Sequence, residues 1–127
     1  MSALSTYFFI AIGGALGACA RFGISELVLK LLPKGFPFGT LAVNILGSLL
    51  MGILYGLLDR EMLSHPHRVT LGVGFLGALT TFSTFSMDTL LLLQQGQWLK
   101  VALNVLLNVG MCIFMAWIGL MLTTQKG

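Results

Sequence analysis

The chain has 127 residues, 57% of them hydrophobic and 9% charged, with a formal net charge of +3. Soluble domains carry roughly 25% charged residues; seven basic and four acidic side chains cannot furnish a polar shell, so hydrocarbon is the expected solvent for most of the surface. The basic residues are scattered along the chain rather than grouped, which excludes an electrostatic footprint for nucleic acid.

A spanning helix needs about 20 mostly apolar residues. No charge occurs over residues 1–20, 36–58, 69–87 or 101–125. Four transmembrane helices are predicted, at residues 4–31, 39–58, 69–95 and 99–123, joined by three short connections into one all-α transmembrane domain. The first has no basic n-region, and Arg21 and Glu26 follow without a cleavage pattern, so it reads as a span rather than a signal peptide. Small residues four apart, Ala11 with Ala15 and Gly13 with Gly17, permit close helix contact. Arg21 either snorkels to an interface or draws anions into a vestibule. Glu26 and Lys30 form an i,i+4 pair that supports the helix end. Cys19 and Cys112 both fall within spans and read as packing residues rather than a disulfide.

The second helix carries Asn44, together with Ser48 and Gly52 four apart. His65-Pro66-His67 follows in what reads as a polar loop, with too few ligands for a metal. The third helix is the anomaly. Gly72, Gly74 and Gly77 come first; then Thr80, Thr81, Ser83, Thr84 and Ser86 place five hydroxyls within seven positions. Phe82, Phe85 and Asp88 are spaced three apart and form one ladder on a helix. Glycines loosen a helix, and a break is expected near residues 77–80. Unwound backbone at membrane depth is tolerated only inside protein or beside a wet cavity. Carbonyl oxygens freed there suit a hard cation such as Na⁺. Phenyl rings have a positive edge, so ring edges, hydroxyls and amides along a narrow path favour an anion. The plain alternative is that the hydroxyls bond back to i−4 carbonyls and the glycines only aid packing. The fourth helix adds Asn104 and Asn108, one turn apart. A buried amide without partners costs a few kcal/mol, so these two and Asn44 are expected to face the protein interior.

Loop charges set orientation. Arg60, Arg68 and Lys126 share one side; Lys30, Lys34 and Lys100 share the other. Either one orientation wins through other signals, or the chain inserts both ways and pairs as an antiparallel dimer, an arrangement related to inverted-repeat transporters. Four helices leave little room for a pathway of their own, which also favours an oligomer.

The run Gly77-Ala78-Leu79-Thr80-Thr81-Phe82-Ser83-Thr84-Phe85-Ser86 closely resembles the signature of the CrcB/Fluc fluoride channels. Gly13-Gly14-Ala15-Leu16-Gly17 with Arg21, and Gly39-Thr40-Leu41-Ala42-Val43-Asn44, resemble the same family, and the likeness covers the whole chain. It implies a dual-topology antiparallel homodimer in the bacterial inner membrane, the third helix broken near its middle, passively exporting cytoplasmic fluoride. It implies pores lined by Asn44, Phe82 and Phe85, with Ser83, Thr84, Asn104, Asn108 and Cys112 contributing polar groups. It implies Arg21 and Thr40 near the polar entrance, and a structural Na⁺ held by the Gly77 and Thr80 carbonyls of both subunits. Two departures stand out: Ala78 replaces a usual glycine, and Asp88 stands where glutamate is more common, which puts a gating role for it in question. A small multidrug-type exporter would need a carboxylate in the middle of the first helix, where the chain reads Ile12-Gly13-Gly14-Ala15. A non-transporting assembly subunit is the third reading. The chain has no HExxH, GxSxG or paired-carboxylate arrangement within one span, so it does not read as an enzyme.

Overall fold

The structure is a computed structural model that describes residues 2–59 and 64–124. Among the described residues, four helices are long and apolar enough to cross a membrane: Ala3–Leu31, Phe38–Leu58, His65–Gln94 and Trp98–Thr123. The first begins at an N-cap, Ser2, whose side chain accepts from the Ser5 N–H. The first and last inter-helix connections turn at Gly35 (φ 99°) and Gly96 (φ 72°), positions where a side chain would be strained.

The third helix starts earlier than its apolar run. His65-Pro66-His67 forms its first turn instead of a loop. Proline is tolerated there because its missing N–H is one the first turn leaves free anyway. Of the charges weighed for orientation, Arg60 and Lys126 lie outside the described residues; Arg68, Lys30 and Lys34 are exposed.

Packing pairs the first helix with the first half of the third, and the second helix with the C-terminal part of the fourth. Glycines set both contacts. A side chain at Gly13 would strike the Thr70 carbonyl, and one at Gly17 the Phe75 carbonyl. A side chain at Gly52 would strike the Ala116 carbonyl, and one at Gly119 the Leu49 carbonyl. Backbone contact this close is how helices gain dispersion energy where lipid supplies no hydrophobic drive. The row containing Gly13 and Gly17 thus makes the expected close contact, whereas Ala11 and Ala15 stay exposed. Val43, Leu54, Leu76 and Leu79 form the buried core where the second and third helices meet.

Among the described residues, two stretches are widened to i→i+5 hydrogen bonding: Val69–Leu76 in the third helix and Leu107–Met111 in the fourth. Such wide turns recur at functional positions. Gly72 and Gly74 lie within the first, and Gly77 follows it directly. The helix proper stops just beyond it.

Candidate functional site

The third helix ends at Leu79 and resumes at Phe82. Between them Thr80 (φ −88°, ψ 159°) and Thr81 (φ −150°, ψ 118°) are extended, conformations that β-branched residues favour. Thr81 then caps the second half: its hydroxyl accepts from the Thr84 N–H at 3.1 Å and donates to Thr84 Oγ1 at 3.0 Å. The break therefore lies at Thr80–Thr81, on the C-terminal side of the expected interval, and Gly77 itself is helical.

Side chains from two other helices hold the break. Asn44 accepts from the Thr81 N–H at 2.8 Å and donates to the Thr81 carbonyl at 3.2 Å, so its amide pairs with that residue as a neighbouring strand would. Arg21 donates from Nε to the Ala78 carbonyl at 2.9 Å. A cation at this helix end also meets the negative pole of the helix dipole. Because the Thr81 N–H goes to Asn44, it no longer closes a helical turn onto the Gly77 carbonyl. Gly77 is exposed at the break.

Beside the break runs an open groove of about 300 Å³, lined by Asn44, Ser48, Phe82, Phe85, Asn108 and Cys112 among others. Phe82 is 77% exposed and Phe85 only 9%; their ring centroids lie 5.4 Å apart at 57°. One ring is thus fixed by packing while its neighbour stands open. Asn44, Ser48 and Met51 share one face of the second helix at helical spacing and form the floor. Ser48 and Cys112 both line this groove. Asn44 also donates to Asn108 Oδ1 at 2.9 Å, so both of its N–H groups are engaged.

A second, smaller cavity of about 80 Å³ brings Arg21 and Glu26 together with Thr40, Thr81 and Thr84. Thr40, itself buried, donates to Asp88 Oδ2 at 2.8 Å. Asp88 also lines a cavity bounded by Gly35, Phe36 and Gln95, at the end of the helices where those connections lie.

The residues singled out in the sequence therefore divide into groups. Asn44, Phe82, Phe85, Asn108 and Cys112 line the groove. Thr40 and Arg21 share the smaller cavity with Thr84, and Thr40 is tied to Asp88. Thr80 lines the groove while its hydroxyl bonds back to the Leu76 carbonyl at 3.1 Å, the plain role considered for these hydroxyls. Ser83 is exposed on the side of the helix away from the groove lining, and Asn104 is fully buried behind Asn108. Thr81 is the residue that sequence reasoning passed over. Its signal was a hydroxyl three residues before Thr84 at a helix restart, the spacing of an N-cap.

The sequence profile described as "CrcB-like protein, Camphor Resistance (CrcB)" matches residues 8–120. A protein of Pseudoalteromonas translucida named fluoride-specific ion channel FluC is 72% identical over 93% of this chain and 99% of its own length. Proteins of the same name from Vibrio campbellii and Vibrio vulnificus are 58% and 54% identical, each over at least 96% of this chain. With four spans and these relatives, this is a multi-pass protein of the bacterial inner membrane. The chain belongs to the CrcB family.

Proposed function

We propose that this protein is a fluoride-selective channel that works as an antiparallel homodimer and lets cytoplasmic fluoride leave by passive conduction. The observation that carries this reading is the groove beside the break, where amide, hydroxyl and thiol groups meet two phenylalanine rings without a cation at its floor. Fluoride is small and strongly hydrated, so a channel must replace its water with donors. The Asn44 amide, the Ser48 hydroxyl, the Cys112 thiol and the positive edges of Phe82 and Phe85 are donors of graded strength. None carries a full charge, and conduction requires binding weak enough for exit. The second half of the third helix begins at Phe82, so its positive dipole end also faces the break. The name carried by relatives at up to 72% identity supports fluoride as the ion. At an inside-negative potential, outward flow of an anion is downhill.

The dimer is supported by what one subunit leaves open. The groove is an unroofed surface, Phe82 is largely exposed, and the second half of the third helix packs mainly on the start of the fourth. An inverted second copy would roof the groove. A structural Na⁺ at the dimer centre fits the chemistry of the break: the Gly77 carbonyl has lost its helical partner to Asn44, and backbone oxygens are hard ligands. Gly77 and Thr80 would hold it, and it would supply cross-linking charge between subunits.

Fluoride release from liposomes tests the function. Vesicles containing the purified protein should lose fluoride down its gradient far faster than chloride. Equal release of the two ions, or none, refutes the proposal.

A further inference from the structure

The Thr89 hydroxyl donates to the Phe85 carbonyl at 2.8 Å. Its single hydrogen is committed there, so toward Asn104 it acts only as an acceptor, from Nδ2 at 3.0 Å. With Nδ2 turned to Thr89, Asn104 presents Oδ1 to Asn108, whose Nδ2 donates to it at 3.0 Å and to the Asn104 main-chain carbonyl at 2.9 Å. Asn108 is then left to present Oδ1 to Asn44 Nδ2, at 2.9 Å. Asn44 Oδ1 then accepts from the Thr81 N–H, while Asn44 Nδ2 also donates to the Thr81 carbonyl. Each amide fixes the rotation of the next, and both ends of the chain demand the same sense.

We infer that Thr89 and Asn104 are positioning residues for the ion pathway: they act through Asn108 to hold the Asn44 amide with its N–H edge on the groove side. This rests on the channel reading above. Asn104 is 0% exposed and neither it nor Thr89 lines the groove, so neither touches the ion. Their influence travels through the three hydrogen bonds between Thr89 and Asn44. Fluoride is a stronger acceptor than an amide oxygen and competes with Asn108 for the Asn44 N–H. A flipped Asn44 would turn an oxygen toward the anion and an N–H toward the Thr81 N–H. Removing the anchor at Thr89 leaves a buried Asn104 donor unpaired and weakens the preference for the productive sense, which then rests on the Asn104 main-chain carbonyl and the Thr81 backbone.

Thr89→Val tests this, because it exchanges the hydroxyl for a methyl group of similar size; Thr89→Ser restores the hydroxyl, and Asn104→Leu removes the next link. Initial fluoride efflux from liposomes is measured against fluoride concentration for the full chain and each variant. The half-saturating concentration is expected to rise about fivefold in Thr89→Val and Asn104→Leu, the equilibrium effect of one lost neutral hydrogen bond, and to stay near wild type in Thr89→Ser. A lower plateau with unchanged half-saturation in both impaired variants would mean only that fewer channels are folded, and overturns the inference. Wild-type behaviour of Thr89→Val and Asn104→Leu overturns it as well. A wild type that releases no fluoride refutes the channel reading itself, and the positioning role with it.

Discussion

Asn44 makes three hydrogen bonds from one side chain, two to the backbone of Thr81 and one to Asn108. Asn44→Leu keeps the volume and removes all three. Each buried backbone group left unpaired costs about 1–3 kcal/mol, so this variant should unfold at a lower temperature in detergent as well as lose fluoride flux. Phe82→Ala should separate the two effects. Its ring is largely exposed in one subunit, so flux is expected to fall while the melting temperature of the detergent-solubilised chain moves little. Equal losses of stability in the two variants would contradict these assignments. Arg21 marks where sequence reading reached its limit. A lone arginine in an apolar helix was open between snorkelling and drawing in anions. Its bond to Ala78 joins residues 57 apart in the chain, and no local pattern encodes such a pairing. Asn44, by contrast, was legible, because an amide in an apolar span needs partners and so faces inward.

At the scale of elements, the four spans follow directly from charge-free runs of sufficient length. The third-helix anomaly was also legible, since clustered glycines and hydroxyls weaken regular helix. The site of the break was less so. Glycines supply freedom, and here that freedom is used for a widened turn over Val69–Leu76. Unwinding instead falls at Thr80–Thr81, where tertiary partners on the first and second helices capture the backbone groups. Those partners depend on close approach of the first helix, which Gly17 allows opposite Phe75 and Ala78. Gly17→Val should therefore push the first helix outward and draw Arg21 off the Ala78 carbonyl. Overpacking of this kind costs about 1–3 kcal/mol. A lowered melting temperature together with reduced fluoride flux is the expected outcome, and Gly14→Ala, where no atom lies within 4 Å of the added group, should match wild type in both measurements.

For the whole molecule, the groove beside the break lies open on the surface of the chain. The balanced loop charges point to two insertions of the same chain, and an inverted pair would close the groove. Membrane vesicles carrying a protease-sensitive tag at the C-terminus should then show on the order of half of the chains cleaved from outside, since neither side holds the excess of Lys and Arg that fixes topology. Complete cleavage or complete protection would refute dual insertion. The proposed pairing was not legible beyond this charge balance, because the exposed faces of a membrane helix are apolar whether they meet lipid or protein. The most direct measurement is the reversal potential of current through the purified protein in a bilayer, with fluoride on one side and an equal concentration of chloride on the other. A reversal potential displaced far toward the fluoride equilibrium value is predicted. A value near zero, which marks a pore indifferent to the two anions, would contradict the account.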